Sequence, residues 1–280
     1  MRTDNNRAYD LALTFARTHY ENFPVVSFLI PKELRKHVAI IYWFARTADD
    51  IADEGTLPEE ERLKRLNDFE EIFNNLRKGT CNTDYEYALY QTIKEKELNP
   101  EHFLALLKAF KQDVLKKRYN NYDELLDYCR NSANPVGRLI LELHNIRDEE
   151  ANIWSDKICT ALQIANFLQD VGPDYEKGRI YLPEDELYRA GISKKMFEER
   201  EINLNFKRLI EFNVDRTQKL FDEGKNLIKF LHGRLKLEIK WTILGGEAIL
   251  GKIRNNNYNV FIRPSLSKTD FIRLFIKSFI

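Results

Sequence analysis

The sequence predicts an all-α protein, on three observations. Glycine and proline are scarce, at 11 and 8 in 280 residues, so turn formers punctuate little of the chain. Apolar residues return at three and four positions over long stretches, the period of a helix with one buried face. No pair of alternating segments flanks an Asn-Gly or Asp-Gly turn, the signature of a hairpin. Hydrophobic residues make up 43% of the chain, enough for one large helical core and too much for a disordered chain.

The elements follow in order. A first helix is predicted over 4–21, and Pro24 and Pro31 then mark irregular backbone. Pro31 starts a helix over 32–54, which Gly55 stops. Helices near 58–77, 82–97 and 100–117 come next, the first of them closed by Lys78-Gly79. Asn121 with Glu124 three residues on resembles a capping box and opens a helix over 122–131. Asn134-Pro135 restarts the chain into 136–145, and a helix over 150–171 follows. Gly172, Pro173, Gly178, Pro183 and Gly191 make 172–192 loop-rich. Two long helices are predicted over 194–231 and 233–255, then a tail whose residues 268–280 read as an amphipathic helix. No solenoid repeat and no linker stand out, so a single domain over 1–280 is expected.

Charge and cysteine content narrow the function. Lys and Arg number 44 and Asp and Glu 44, a net charge of zero. This argues against a nucleic-acid protein with a wholly basic surface, though not against a local basic patch, and no nucleic-acid partner is expected. Cys81, Cys129 and Cys159 lack metal-like spacing and point to a reducing compartment. The polar start MRTDNNRAYDL has no apolar signal core, and no stretch reaches membrane-spanning length, so a cytoplasmic protein is expected.

Two acidic stripes carry the chemistry. Within IYWFARTADDIADE (41–54), Arg46, Asp49 and Asp53 fall about 40°, 340° and 20° around the helix from Tyr42, at about 100° per residue. Asp50 lies beside this stripe. Within ALQIANFLQDVGPD (161–174), Asn166, Asp170 and Asp174 fall about 300°, 340° and 20° from Gln163. Pro173 makes the position of Asp174 less determinate than that of Asp170. Carboxylates one turn apart repel, so a helix without a use for them gains by losing one.

Carboxylates and an amide oxygen are hard donors. They suit Mg²⁺, which takes few carboxylates together with substrate phosphates. If the two helices face each other, they form an acidic cage that Mg²⁺ and a diphosphate neutralise. Arg46, Lys177 and Arg179 are then donors for the diphosphate oxygens. Departure of a metal-bound diphosphate leaves a carbocation, which needs an apolar, aromatic-lined pocket; Phe and Tyr number 18 and 13. Taken alone, either acidic motif also reads as a solvated helix face. A dimetal carboxylate bundle is disfavoured because no Glu-x-x-His occurs, and His19, His37, His102, His144 and His232 are scattered. No P-loop and no dinucleotide fingerprint is present.

These segments, with SANPVGRLIL (132–141), EKGRIYLP (176–183) and NYNVFIRPSLSK (257–268), resemble the squalene and phytoene synthase family over residues 8–268. The resemblance implies one all-α isoprenoid synthase (terpenoid synthase) domain, a helical bundle around a central cavity with the two aspartate-rich helices on opposite walls. It implies Mg²⁺ at Asp49 and Asp53 and at Asn166, Asp170 and Asp174. Tyr42 and Arg46 match the family's tyrosine and diphosphate-binding arginine, and Gln163 a glutamine inside the cavity. Lys177, Arg179 and Tyr181 match a flap over the diphosphate, and Gly137 a small residue beside the prenyl chain.

Within the family, three features resemble the hydroxysqualene synthase branch of bacterial hopanoid pathways. That branch converts presqualene diphosphate and water to hydroxysqualene and diphosphate. The stretch HYENFPVVSFLIP (19–31) carries Asn22 and Pro24 where condensing members usually have serines. Gln169 stands before Asp170 where phytoene and dehydrosqualene synthases usually carry arginine, and LGGEAIL (244–250) lacks a tyrosine that condensing members often place near Gly246. Tyr42, Gln163 and Asn22 are candidates to orient the water, with a helix-end cap the other reading of Asn22. Three alternatives stay open. They are a synthase condensing two farnesyl diphosphates to presqualene diphosphate or squalene (NADPH serving only the squalene step), a phytoene or dehydrosqualene synthase, and a non-catalytic homologue. The tail either packs on the domain or lies on the inner face of the cell membrane. Association with other enzymes of the squalene and hopanoid pathway is a further open expectation.

Overall fold

A computed structural model describes residues 5–18 and 29–279. Among these residues the chain is helical with no strand: α1 (Asn5–Thr18), α2 (Lys32–Asp53), α3 (Glu59–Leu76), α4 (Asp84–Glu95), α5 (Pro100–Leu115), α6 (Tyr122–Ser132), α7 (Asn134–Leu143), α8 (Glu149–Gln169), α9 (Val171–Glu176), α10 (Glu184–Arg189), α11 (Lys194–Glu198), α12 (Leu204–Gly224), α13 (Gly233–Asn255) and α14 (Lys268–Lys277). The chain divides into two compact units, Met1–Leu115 with Pro135–Asn152, and Lys116–Asn134 with Ile153–Ile280.

In the first unit α2 is the hub, packing against α1, α3, α4 and α5. Its apolar face buries Leu34, Val38, Ile41, Phe44 and Ala48. Phe44 sits in a knot of rings, 5.1 Å from Phe69, 5.3 Å from Phe73 and 5.1 Å from Phe103. A polar bridge crosses the same core. Tyr9 Oη and His37 Nδ1 each lie 2.9 Å from Thr92 Oγ1, and Tyr9 also donates to the Ala88 carbonyl. The Tyr9 and Thr92 hydroxyls and His37 Nδ1 thereby have partners, while His37 Nε2 faces Glu95 at 3.4 Å without a hydrogen bond. α2 ends where Gly55 takes a φ of +76°, a conformation that glycine adopts without steric cost. Arg62 then reaches back to the Ala52, Gly55 and Leu57 carbonyls and satisfies that helix end.

In the second unit, α12 packs on α13 and α13 on α14. Gly246 in α13 permits the close approach: a Cβ there would lie 2.4 Å from Phe221 and 3.0 Å from Leu162. The segment 117–120 runs alongside 180–185 through backbone hydrogen bonds from Ile180, Glu184 and Asp185 to the carbonyls of Lys117, Tyr119 and Asn120. That pairing sets Tyr119 against Tyr181, with ring centroids 5.7 Å apart.

Two predicted segments differ from the structure. The loop-rich stretch 172–192 contains α9 and α10, because Pro173 and Pro183 occupy helix starts, where a missing N–H costs no bond. The long helix expected over 194–231 is three pieces. Arg200 adopts a φ of +52°, and the Asn203 side chain accepts from the Phe206 amide to start α12 anew. A short 3-10 turn at Lys225–Lys229 then closes α12.

Candidate active site

The first stripe lies in the last three turns of α2. Tyr42, Arg46, Asp49 and Asp53 are half-buried, between the apolar face and solvent. Three carboxylates surround Arg46. Its Nη1 donates to Asp49 at 3.0 Å and its Nη2 to Glu54 at 2.6 Å, while Nε lies 2.7 Å from Asp50 as an ion pair. Burial alone lowers the Arg46 pKa, but Asp49, Asp50 and Glu54 together outweigh it and hold the guanidinium above its ordinary value. The helix dipole is negative at this end, so four acids gathered there are unfavourable without cations. Arg46 offsets part of that charge.

The second stripe spans the junction of α8 and α9. Asp170 stands between the two helices, yet the i to i−4 bonds run through it. The Asp170 amide donates to Asn166 at 2.9 Å and the Asp174 amide to Asp170 at 2.8 Å. Pro173 therefore leaves Asn166, Asp170 and Asp174 in helical register. Gln163 shares this helix and is half-buried, Asp170 and Asp174 are half-buried, and Asn166 is exposed. Beyond α9, Gly178 turns with a φ of +78°. The Arg179 amide bonds the Asp174 carbonyl at 2.8 Å, so Arg179 follows the stripe directly. Lys177 is exposed beside it. Tyr181 is fixed by stacking on Phe167, with centroids 3.7 Å apart and planes 7° apart.

Arg263, in the segment NYNVFIRPSLSK and expected only as one of the basic residues of the tail, belongs to this site. Its Nε and Nη2 donate to the two carboxylate oxygens of Asp170. Hydrogen bonding to Asp170, then the charges of Asp170 and Asp174, raise its pKa against the opposing effect of burial. The strap that carries it is pinned nearby: Gln169 Nε2 donates to the Pro264 carbonyl at 2.7 Å. Gly172 lets the strap close in, since a Cβ there would lie 3.3 Å from the Phe261 carbonyl oxygen. Gln169 thus serves as an anchor for the segment that brings Arg263 to Asp170.

Gly137 lies in α7, half-buried. Asn22 and the 19–28 part of the stretch read as distinctive lie outside the described residues. Among the described residues, no group of three His, Cys, Asp or Glu side chains is arranged to hold a metal by itself. The donors on both stripes are oxygens only. That set fits Mg²⁺, which takes part of its shell from a substrate's phosphates.

Residues 16–270 match the squalene/phytoene synthase family. The chain belongs to that family. It is 37% identical over 241 residues to a hydroxysqualene synthase of Zymomonas mobilis, covering 84% of this chain and 79% of that one. It is 37% identical over 232 residues to a hydroxysqualene synthase of Rhodopseudomonas palustris, covering 81% and 77%. Among solved structures, the squalene synthase HpnC of Alicyclobacillus acidocaldarius superposes with a TM-score of 0.86 at 38% identity, covering 92% of this chain and 97% of that one. The protein is a prenyltransferase-type enzyme with the all-α isoprenoid synthase fold.

Proposed function

We propose that the protein converts presqualene diphosphate and water into hydroxysqualene and diphosphate. The likeness to proteins named hydroxysqualene synthase carries the choice of reaction. Asp49 and Asp53 on one stripe and Asn166, Asp170 and Asp174 on the other would hold Mg²⁺, which supplies positive charge to the departing diphosphate. Arg46, Lys177 and Arg179 donate to the diphosphate oxygens and stabilise the charge that develops as the carbon–oxygen bond breaks. Tyr42, Gln163 and Asn22 orient the water whose oxygen bonds the rearranged cation, the surplus proton passing to solvent. Tyr181 covers the diphosphate, and Gly137 leaves room for the prenyl chain. Both compact units belong to one catalytic domain in this reading. Its station is the cytoplasm, with a peripheral contact at the inner face of the cell membrane and with other enzymes of the same pathway.

A second reading has its own observation, the likeness to a solved protein described as a squalene synthase. It condenses two farnesyl diphosphates and uses NADPH for a squalene product; phytoene or dehydrosqualene synthesis ranks below it. The test is to incubate the protein with Mg²⁺ and either presqualene diphosphate or farnesyl diphosphate, with and without NADPH, and to identify products by mass spectrometry. Hydroxysqualene from presqualene diphosphate alone supports the first reading. Efficient consumption of farnesyl diphosphate overturns it in favour of the second.

A further inference from the structure

α14 has two apolar faces, and only one of them is used by the fold. Phe271 and Phe275 set their rings edge-on to Trp241 of α13, at 6.4 and 5.3 Å, and Ser278 on the same side is buried. Ile272 and Ile276 lie about 40° apart on a separate arc, and Phe279, in the turn just past the helix, extends it while its ring meets Phe275 edge-on at 5.1 Å. They are 61%, 62% and 59% exposed. Single exposed apolar residues need no explanation, whereas three side by side on one surface do.

The charges around this row are mostly positive, and the acids among them are already paired with lysines. Lys268, Arg273 and Lys277 are exposed on the same helix. Its only acid, Asp270, is engaged by Lys252 at 3.0 Å and by the Ser267 amide. A groove of about 380 Å³ between α13 and α14 is lined by Lys252, Asp270, Arg273 and Lys277 with Gly251 and Leu274. On the other flank a second groove, of about 440 Å³, has Ile228, Ile243 and Leu244 in its wall, with Lys240 and Lys277 beside them and Lys225 paired to Glu247 at 2.7 Å. A chain with no net charge has thus gathered cations around an apolar ridge.

We infer that α14 and its two flanking grooves form a seat for an anionic phospholipid bilayer. The Ile272–Ile276–Phe279 ridge enters the acyl boundary, and Arg273, Lys277 and Lys268 meet lipid phosphates. Apolar insertion and attraction to anionic headgroups are the two contributions that hold an interfacial helix. A second copy of the chain fits this surface poorly, because a two-fold contact over the ridge sets the same cations against each other. Among the described residues no helix is long and apolar enough to cross a membrane. The surface is independent of the reaction at the acidic stripes.

The experiment is flotation of the full chain with phosphatidylcholine vesicles, with and without phosphatidylglycerol, at low and high salt. Wild-type protein is expected to float with the anionic vesicles and to lose binding as salt screens the cations. Ile272→Ser with Ile276→Ser is expected to weaken binding by about tenfold or more, with thermal unfolding and turnover of detergent-dispersed substrate unchanged. Arg273→Gln with Lys277→Gln is expected to weaken it roughly fivefold per charge and to erase the preference for phosphatidylglycerol. Equal binding to neutral and anionic vesicles, or undiminished binding by both double variants, overturns the inference. So does sedimentation showing a wild-type dimer that the Ile272→Ser, Ile276→Ser variant dissolves.

Discussion

Arg263 grips both carboxylate oxygens of Asp170 from 93 residues further along the chain. The pair is 46% and 27% exposed at its two side chains, so water screens it and its contribution to folding is small. Its position makes it the counterpart, at the second stripe, of Arg46 at the first. Arg263→Ala is expected to change unfolding free energy by about 1 kcal/mol or less, while kcat/KM falls about tenfold or more through loss of a charge-assisted donor. Arg263→Lys keeps the charge without the planar fork and is expected to recover only part of the rate. Denaturant titration alongside steady-state diphosphate release measures both effects, and a normal rate for Arg263→Ala would exclude a role beyond tethering the strap.

The aspartates themselves separate activity from stability. Asp49 lies in a half-exposed ion pair with Arg46, and Asp170 in another with Arg263. Removing one charge from either stripe relieves repulsion within it as well as breaking a pair, so the folding cost stays within about 1 kcal/mol. On the proposed reading the same change removes a metal donor. Asp49→Asn and Asp170→Asn are each expected to lower kcat by about two orders of magnitude. Added Mg²⁺ should partly recover the loss. Near-normal turnover in both variants would end the metal reading of the stripes.

His37 gives the fold a pH dependence of calculable sign. It is fully buried, and desolvation, followed by the charges of Lys36 and Lys96, lowers its pKa to about 4 against the opposing pull of Glu95. The unfolded chain keeps the ordinary value of 6.5, so between those two values the unfolded state binds the extra proton. Stability is therefore intact above about 6.5 and is lost as pH falls towards 4, by up to about 3 kcal/mol for this group. His37→Gln keeps a neutral polar partner for Thr92 and cannot titrate. Its urea midpoint is expected to vary less between pH 6.5 and 4 than that of the wild type, since the carboxylates other than Glu95, which His37 itself influences, contribute equally to both. Parallel curves would show that His37 protonates without cost.

The two stripes were legible because helical register is local. Four-residue spacing within α2 and across α8 and α9 needs no knowledge of the rest of the fold, and the bonds from Asp170 to Asn166 and from Asp174 to Asp170 preserve it past Pro173. The break before α12 was hidden for the opposite reason. Phe197, Phe206, Leu209 and Ile210 continue a helical apolar pattern on either side of it, and only Asn203 as a cap betrays the restart. Arg263 was out of reach because its partner is set by tertiary packing, by way of Gln169 and Gly172. A single arginine before a proline carries no sign of which distant carboxylate it meets. The membership of the family was legible from the motifs, whereas the stacking that fixes Tyr181 was not.

Tyr181 separates a packing role from a binding role. Its ring lies parallel to Phe167 and near Tyr119 and Tyr128, so the ring is part of the core of the second unit whatever its hydroxyl does. Tyr181→Phe preserves every one of those ring contacts. It is expected to lower the unfolding free energy by about 1 kcal/mol or less, the worth of one hydroxyl hydrogen bond. Tyr181→Ala opens a cavity beside Phe167 and is expected to cost about 3 kcal/mol. The proposed cover over the diphosphate concerns the hydroxyl alone, so Tyr181→Phe is the informative variant. A KM for the prenyl diphosphate raised several-fold, with stability inside that margin and helix content unchanged, would assign the hydroxyl to substrate. An unchanged KM would leave Tyr181 a packing residue and pass the diphosphate to Lys177 and Arg179, which follow the second stripe directly.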